Sequence, residues 1–438
     1  MYKRSLFIFR QDLRLHDNTG LIEAIKNSEE IFPIFIHDSR AIQDFGENDV
    51  RFGFIKEALE YIDEGLRLYG GAITVYQGDP KRVVEEILKE HDINALFINR
   101  SYSPKGKARD ESLIALCDSR SIAFHSFQDF LMVEPDEVDQ RKVFTPFSML
   151  WKKFLLAHPE RLIIKEIDGS KVKWFIPQER KKVREIIQAP YHPFWTVKFG
   201  RERLERDFSR YDELRNFPSI DGSTRLSPYI RFGIFSVREI YHKVGDNPSL
   251  LSEIIWREFW YHIAYYFPFT YSLEFQERRR SIAWSQDTQD YEWKMFENAR
   301  TGYPLIDAAI KQLYETNWMH NRLRMVVASF LTKNLGIDWR IGERWFKKYL
   351  IDYDEAVNIG NWQWSASVGA DPKPVRIFNP LLQSEKFDPE AKFIKKYLPE
   401  LENIDPKRIH SLDLKEVYYP PIVSQKESAA KAKERYKG

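Results

Sequence analysis

The chain has 438 residues, more than one typical hydrophobic core accommodates, and this length indicates two domains. A net charge of +2 excludes a polycation, so a nucleic-acid partner would require basic residues concentrated on one face. No apolar run is long enough to span a membrane, and the short N-terminal run indicates a first strand rather than a signal peptide. The single cysteine, Cys117, excludes an internal disulfide and a cysteine-ligated metal and fits a reducing cytoplasm, where we expect a monomer without a metal.

Residues 1–130 alternate between strand and helix patterns. Short apolar runs predict strands over residues 5–9, 31–36, 73–76, 95–98 and 122–124. Helical spacing lies between them, as over 52–62 and after Asp79 and Pro80, which suit an N-cap and a first helical position. The alternation predicts an α/β domain whose parallel sheet is covered on both faces. Neither GxGxxG nor GxxxxGK[ST] occurs, so a dinucleotide or P-loop site in this half is unsupported.

The remainder of the chain reads differently. Residues 131–200 combine prolines with charged clusters, which indicates a long connector with some helix. Residues 201–425 predict a mainly helical domain, with helices over 237–244, 252–267, 291–298, 303–315, 318–333 and 339–350. Residues 426–438 form a charged tail that we expect to fray.

The segment 222–228 places three hydroxyls and Arg225 before a helical pattern. Hydroxyls and free N–H groups at a helix start suit a phosphate or pyrophosphate. Taken alone, an ordinary Ser or Thr N-cap explains the segment better.

Glu253 and Trp256 share one face of a predicted helix, where a carboxylate and an indole could hold one flat ring. Taken alone, this pair is better explained as a surface glutamate beside a core tryptophan.

Residues 318–325 and 358–364 crowd tryptophan, arginine and asparagine together, whereas a plain core prefers side chains without polar atoms. This mixture suits a large, flat, polar ligand or a pocket that stacks nucleobases. Asn321 and Met325 project from one helical face, although a helix with a solvated basic edge is an alternative. Arg324 could pair with Asp352 or Asp354, and spacing does not choose between them.

These segments, together with residues 9–18, 301–309, 376–380 and 419–423, resemble the DNA photolyase/cryptochrome family, most closely its class I cyclobutane pyrimidine dimer photolyases. The resemblance implies an N-terminal Rossmann-like antenna domain and a C-terminal all-helical domain that holds FAD in a bent form. It also implies repair of cyclobutane pyrimidine dimers in DNA by an electron from excited FADH⁻ to a flipped-out dimer. No nucleophile or metal ligand is needed for such chemistry, and the protein supplies orientation and electrostatics.

The resemblance also assigns the residues that bind the cofactor. Arg324 would pair with Asp352 against the isoalloxazine ring, Asp354 would contact the adenosine side, and Asn358 would face the flavin N5. The flavin's phosphates would be held by Tyr211, Ser223, Thr224, Arg225, Leu226 and Ser227, with Arg257 nearby, and Asn321 and Tyr353 complete the set.

Asn358 favours repair over light sensing. A neutral amide can accept a hydrogen bond from N5–H, whereas an aspartate would repel the flavin anion. Family members built for signalling often carry Asp or Cys there and a long C-terminal extension, whereas few residues follow Val423. A cryptochrome-type blue-light photoreceptor that signals through a partner is the alternative, and a DNA-binding module with a structural flavin is a second one.

The lesion, by the same resemblance, would be received by Glu253, Trp256, Asn321, Met325 and Trp364. Flipping costs least at a damaged, weakly paired site, which helps selection. Phosphates of the DNA would be contacted by Arg215, Arg322 and Arg376, so affinity should fall with salt.

Electrons would be resupplied through Trp362 and Trp339, the proximal and middle members of a tryptophan chain. Trp284 is the candidate for the outer member and Tyr291 the alternative.

A second, antenna chromophore is also implied. Gly106 stands where folate-binding relatives usually carry a glutamate, which favours a flavin or deazaflavin over folate. Arg10, Arg51 and Lys105 are candidate contacts, and surface basic residues explain each of them equally well.

Overall fold

The computed structural model describes residues 1–372 and 375–437. The chain divides into two compact units and passes between them more than once. The first unit comprises Met1–Asp139, Leu150–Arg206 and Arg225–Ile254, and the second comprises Gln140–Met149, Asp207–Thr224 and Ile255–Gly438. Most of residues 131–200, which we interpreted as a connector, therefore packs within the first unit. None of the helices in the described ranges is long and apolar enough to cross a membrane.

The first unit is built on a parallel sheet. Its strands are β1 Tyr2–Phe9, β2 Ser28–Asp38, β3 Thr74–Gly78, β4 Ala95–Asn99, β5 Ala123–Phe127 and β6 Lys173–Trp174. The strand order is β3-β2-β1-β4-β5, and β6 pairs with the start of β2. The five strands predicted from apolar runs are confirmed, whereas β6, with two residues, is too short to give a periodic signal. The order reverses between β1 and β4, which is where ligands bind in open α/β sheets.

The helices follow in chain order. The α-helices are α1 Thr19–Asn27, α2 Ser39–Phe45, α3 Val50–Arg67, α4 Pro80–Glu90, α5 Pro104–Asp118, α6 Phe144–Ala157, α7 Val183–Ile186, α8 Val197–Leu204, α9 Tyr211–Leu214, α10 Ser227–Arg231, α11 Val237–Val244, α12 Pro248–Tyr266, α13 Tyr291–Glu297, α14 Pro304–Thr316, α15 Asn321–Ser329, α16 Trp339–Tyr349, α17 Glu355–Ser365, α18 Pro380–Phe387, α19 Lys392–Tyr397, α20 Pro406–Ser411 and α21 Gln425–Arg435. Short 3₁₀ helices occupy Pro159–Leu162, Gly169–Lys171, Pro268–Tyr271, Glu277–Arg279 and Pro399–Leu401, and a π-helix occupies Phe330–Leu335. The predicted α/β and helical halves are thus confirmed.

One predicted helix ends early. The pattern over 318–333 predicted a single helix, but the α-helical part is α15, and Phe330–Leu335 continues it as a π-helix. Lys333 is 1% exposed within that turn, and its Nζ donates to the carbonyl oxygen of Arg376. A π-helical turn re-aims side chains, which hydrophobic spacing does not reveal.

The expectation that the tail frays is wrong. Residues 425–435 form α21, and Ser428, Ala432 and Tyr436 are buried. The Nδ2 of Asn334 donates to Ser428 Oγ at 2.8 Å, and the Tyr436 hydroxyl donates to the Ala366 carbonyl at 2.5 Å. Three small or aromatic side chains on one face therefore outweigh the charged composition of the segment.

A buried charge network holds the first unit together. Asp129 is 3% exposed and accepts hydrogen bonds from Arg14 Nη2 at 2.6 Å and from Arg238 Nη2 at 3.0 Å. Arg238 also donates through Nε to Asp17 at 2.7 Å. Burial raises the pKa of Asp129, but attraction to the two arginines outweighs it and holds that pKa below its ordinary value. The resulting stabilisation is present above the pKa of an unfolded aspartate and is lost as pH falls through the lowered pKa.

We predict that Asp129→Asn lowers the free energy of unfolding by about 3–5 kcal/mol at neutral pH, because it leaves the buried guanidinium of Arg14 without its counter-charge and removes one of the two carboxylates that face Arg238. Urea unfolding followed by circular dichroism measures the change. The control is Glu202→Gln, which removes an exposed ion pair with Lys198 at 3.9 Å and should hardly change the free energy of unfolding. A loss for Asp129→Asn no larger than that of the control would contradict the network's role.

Candidate functional site

The helix α17 presents three of the predicted residues in fixed directions. Its N-cap is Asp354, whose carboxylate accepts from Val357 N at 3.3 Å and from the Tyr261 hydroxyl at 2.6 Å. Asn358 and Trp362 are four residues apart and share one helix face, whereas Trp364 points to the opposite side. Trp362 is 2% exposed and Trp364 is half-buried.

The orientation of Asn358 is set by Glu343. The amide nitrogen of Asn358 donates to the backbone oxygen of Glu343 at 3.3 Å and to its Oε1 at 3.1 Å. The Tyr353 hydroxyl donates to the same Oε1 at 2.8 Å. Burial raises the pKa of Glu343 above its ordinary value, although the hydrogen bonds from Tyr353 and Asn358 act to lower it. The amide oxygen of Asn358 is thereby turned away from Glu343 and can accept a hydrogen bond from a ligand.

Arg324 pairs with Asp352, which answers the question that spacing left open. Its Nη2 donates to the two carboxylate oxygens of Asp352 at 3.1 and 2.8 Å, and its Nε donates to the Met319 carbonyl at 2.8 Å. The carboxylate is 2% exposed and the guanidinium side chain 23% exposed. A fixed ion pair with a partly open cation can hold a polar ring edge.

A second cluster adjoins α17. The Arg257 guanidinium lies 5.4 Å from the centre of the Tyr261 ring, and Tyr261 donates to Asp354. Both residues lie on α12, so one helix face carries a cation and a phenol toward the start of α17.

The predicted phosphate segment lies in loops and short helices. Tyr211 begins α9, and Ser227 begins α10. Arg225 has a backbone φ of 54°, a left-handed conformation that is uncommon for residues other than glycine. Ser223 and Thr224 end one segment of the second unit, and Arg225, Leu226 and Ser227 begin the last segment of the first.

The predicted lesion-binding side chains are accessible. Asn321 and Glu253 are exposed, and Met325, Trp256 and Trp364 are half-buried. Asn321 begins α15, with Met325 one turn later, and Glu253 lies one turn before Trp256 on α12.

Trp256 is backed by a residue that the sequence did not indicate. Its ring stacks on Phe144, with centroids 3.7 Å apart and an interplanar angle of 1°. Phe144 lies more than a hundred positions earlier, at the start of α6, so no local pattern could connect the two. The stacking covers one face of Trp256 and orients the other.

Two of the predicted phosphate-binding arginines lie near each other. Arg322 donates through Nη2 to Asn216 Oδ1 at 2.6 Å and lies 4.5 Å from the centre of the Phe387 ring. Burial and the nearby charge of Arg215 lower the pKa of Arg322. Such clustered cations favour an anion between them.

Arg376 has a buried neighbour of the same charge. Lys333 donates to its backbone oxygen, and burial, followed by repulsion from Arg376, lowers the pKa of Lys333 to about 7. The lysine therefore fixes the backbone that carries Arg376.

The three candidate tryptophans run from buried to accessible. Trp339 is 1% exposed, Trp362 is 2% exposed and Trp284 is half-buried. The indole N–H groups of Trp339 and Trp284 donate to the same oxygen, Oε1 of Glu274, at 3.1 and 3.3 Å. Tyr291, the alternative to Trp284, begins α13 and is 60% exposed.

The antenna candidates lie in the first unit. Arg10, at the end of β1 where the strand order reverses, donates to Asp110 and to the Asn99 carbonyl. Arg51 is 5% exposed and pairs with Asp49 at 2.5 Å. These two arginines are therefore not surface basic residues.

Lys105 differs from the two arginines. Its side chain is 73% exposed and pairs with Asp44 at 2.9 Å. A surface lysine describes it adequately.

Gly106 is required by packing. A Cβ at this position would lie 1.9 Å from Ser101 Oγ and 2.6 Å from Ser101 Cβ, closer than real contacts allow. A glutamate could not occupy position 106 unless Ser101 moved.

The chain matches two protein families over most of its length. Residues 5–163 match the family described as DNA photolyase, and residues 250–438 match the FAD binding domain of DNA photolyase. It is 35% identical to the deoxyribodipyrimidine photo-lyase of Alkalihalophilus pseudofirmus, covering 98% of this chain and 97% of that protein. It is 32% identical to the deoxyribodipyrimidine photo-lyase of a Synechococcus strain, covering 96% and 93%.

Solved structures of similar proteins cover at least 99% of this chain. An archaeal photolyase from Sulfolobus tokodaii, described with two FAD molecules, has a TM-score of 0.90 at 33% identity and covers 99% of both chains. A class III photolyase from Agrobacterium tumefaciens has a TM-score of 0.88 at 30% identity, covering 100% of this chain and 97% of that one. A Synechocystis cryptochrome has a TM-score of 0.86 at 26% identity, covering 99% of each.

Proposed function

Because the chain belongs to the DNA photolyase family, we propose that it splits cyclobutane pyrimidine dimers in DNA with light, using FAD as its catalytic cofactor. This is the activity of a deoxyribodipyrimidine photo-lyase, which is a carbon–carbon lyase. The two relatives described above are named deoxyribodipyrimidine photo-lyase. The observation that carries the proposal is the layout of α17, where Asn358 and buried Trp362 share one face and Trp364 lies on the other.

The side chains around α17 fit a flavin ring. The carbonyl oxygen of Asn358 can accept from a ring N–H, because Glu343 engages the amide nitrogen. The Arg324 guanidinium, held by Asp352, would supply a cation beside the ring of the reduced, negatively charged cofactor. When bound and reduced, FAD supplies one electron on absorbing a blue or near-UV photon and takes it back after the dimer has split.

The remainder of the cofactor would be held by polar groups at helix starts. Tyr211, Arg257 and residues 223–227 would hold its phosphates, since hydroxyls and N–H groups at helix starts suit anions. Asp354, whose carboxylate is fixed by Tyr261, would contact the adenosine side, and Tyr353 and Asn321 would complete the set of cofactor-binding residues.

The neutrality of Asn358 supports repair rather than signalling. An aspartate at this position would add a negative charge beside a cofactor that is itself an anion in its active form. The amide oxygen of Asn358 would accept a hydrogen bond from the cofactor without that repulsion, which would favour the electron-rich state.

The lesion would be held between aromatic faces. Trp256, stacked on Phe144, offers one face, and Trp364 offers another. Stacking on an aromatic side chain is worth about 1–3 kcal/mol per base. Glu253 and Asn321 would hydrogen-bond the edges of the pyrimidines, and Met325 would pack against their apolar remnants.

The DNA backbone would be contacted by Arg215, Arg322 and Arg376. Each neutralised phosphate releases a counterion, so affinity falls as salt rises.

Electrons would be resupplied from Trp284 through Trp339 to Trp362. We infer that Trp284 is the outer member rather than Tyr291, because it shares the carboxylate of Glu274 with Trp339. Its half-exposed ring can meet a reductant from solution.

We propose further that the antenna chromophore is a flavin or deazaflavin. The first unit offers Arg10 at the switch point of the sheet and Arg51 on Phe45, with the guanidinium 3.8 Å from the ring centre. Gly106 leaves no room for the glutamate that folate-binding relatives carry. The Sulfolobus tokodaii relative, described with two FAD molecules, supports a second flavin.

Repair is tested by mixing the chemically reduced holoprotein with UV-irradiated oligo(dT) in light and in darkness. We predict loss of dimers in light alone, recorded as recovery of absorbance at the wavelength of intact thymine. Unirradiated oligo(dT) is the control. If the protein binds irradiated DNA but the dimers in that DNA do not disappear in light, the protein is instead a photoreceptor or a DNA-binding module.

Trp362→Phe separates electron resupply from repair. Phenylalanine keeps the packing but is far harder to oxidise, so we predict that light no longer reduces the oxidised holoprotein in the presence of a thiol. Repair by chemically reduced protein should persist. Trp345→Phe, which alters a buried indole bonded to Tyr314, is the matched control. Loss of both activities in Trp362→Phe would mean that Trp362 does not serve electron resupply.

A further inference from the structure

Glu274 is a buried carboxylate that joins two of the candidate tryptophans. It is 3% exposed, and its Oε1 accepts from the indole N–H groups of Trp339 and Trp284 at 3.1 and 3.3 Å. By contrast, the buried Nε1 of Trp362 has no hydrogen-bond partner within residues 1–372 and 375–437. The chain of tryptophans is therefore electrostatically asymmetric.

Arg340 keeps Glu274 ionised. Its Nη1 and Nη2 donate to the two carboxylate oxygens at 3.0 and 2.9 Å, and Nη1 also reaches Asp338 at 3.1 Å. Burial raises the pKa of Glu274, but the hydrogen bonds, first of all those from Arg340, outweigh it and lower that pKa below its ordinary value. Arg340 divides its single charge between two carboxylates, and its guanidinium also lies 4.6 Å from the centre of the Trp339 ring. Two carboxylates and one guanidinium together leave one net negative charge beside the indoles.

The loop that carries Glu274 is bound to α17. The Nε2 of Gln363 donates to the carbonyl oxygens of Thr270 and Leu273, each at 2.9 Å, and its Oε1 accepts from Phe275 N at 2.9 Å. Gln363 directly follows Trp362 in the chain. The carboxylate and the proximal tryptophan are thus held in one rigid arrangement.

We propose that Glu274 is a positioning residue for electron resupply, which holds the indoles of Trp339 and Trp284 and makes both easier to oxidise than Trp362. The inference rests on the proposed function of the tryptophans. Removal of an electron leaves a positive charge on the indole and strengthens its N–H as a donor, so a carboxylate acceptor stabilises the oxidised form. The positive charge therefore moves outward, away from Trp362.

The electron that the tryptophans lose is replaced at the protein surface. Trp362 would give an electron to the bound cofactor, Trp339 would refill Trp362, and Trp284 would refill Trp339. The N–H protons of Trp339 and Trp284 remain on nitrogen, hydrogen-bonded to Glu274. A thiol in solution returns one electron to Trp284 and is itself oxidised.

Tyr436 does not extend the chain. Its ring lies edge-on to Trp284, with centroids 6.1 Å apart. A tyrosine must give up its proton when oxidised, but the Tyr436 hydroxyl donates to the Ala366 carbonyl, which is no base. Burial also raises the pKa of Tyr436. The positive charge therefore stops at Trp284.

The test uses the full-length protein loaded with oxidised FAD and excited by a short flash. Transient absorption measures the yield and lifetime of oxidised tryptophan. Glu274→Gln keeps the size and a hydrogen-bond acceptor but removes the charge, and Glu274→Asp keeps the charge. The matched control is Glu277→Gln, since Glu277 begins the 3₁₀ helix that follows Glu274 and its side chain is 91% exposed. FAD content and melting temperature are recorded for every variant.

We expect Glu274→Gln to lower the yield of long-lived oxidised tryptophan about tenfold, because a charged acceptor contributes more to a hydrogen bond than a neutral one. Glu274→Asp should restore part of it, and Glu277→Gln should match the parent. A parent-like yield in Glu274→Gln, or a loss in both Glu274 variants that follows their melting temperatures, would overturn the proposal. Trp362→Phe distinguishes failure of the role proposed for Glu274 from failure of the tryptophan chain. If this variant keeps the absorption of oxidised tryptophan, the proposed tryptophan chain itself is wrong.

Discussion

The buried amide of Gln363 sets the rotation of α17, and the proposed chemistry depends on that rotation. Its side chain is 1% exposed and makes three hydrogen bonds to the loop between Thr270 and Phe275. A buried amide that loses such partners is costly, so the helix cannot turn without breaking all three. This constraint directs Trp362 into the core and Trp364 toward the accessible side. One helix can therefore supply a cofactor with electrons on one face and stack a substrate on the other.

The proposed reaction depends on charge placement rather than on a reactive side chain. At the proposed flavin site, the Arg324–Asp352 pair would present a cation, and Asn358 would contribute no charge. Around the outer tryptophans, Glu274 presents an anion. Positive charge is thus favoured at the periphery and negative charge at the centre. Such fixed dipoles and ion pairs need no rearrangement at the moment of electron transfer.

The sequence predicted what depends on local pattern or on a distinctive motif. Apolar runs located five strands, and the mixture of indoles and polar groups in 358–364 indicated a flat ligand. Contacts between distant segments were not predictable. Phe144 meets Trp256 and Glu274 meets Trp339 across long stretches of chain, and neither residue type is unusual where it stands. The prediction that residues 426–438 fray was wrong for another reason. A few buried side chains on one helix face decide whether a segment packs, whatever its overall charge.

The division of α17 into two faces is tested most directly by Trp364→Ala. We expect affinity for DNA that contains a thymine dimer to fall about tenfold or more, because one stacking face is lost. Affinity for undamaged DNA and light-driven reduction of the thiol-supplied holoprotein should match the parent, because Trp362 and the loop at Gln363 are untouched. If binding of dimer-containing DNA is unchanged, or if light-driven reduction is lost as well, the two faces do not have separate roles.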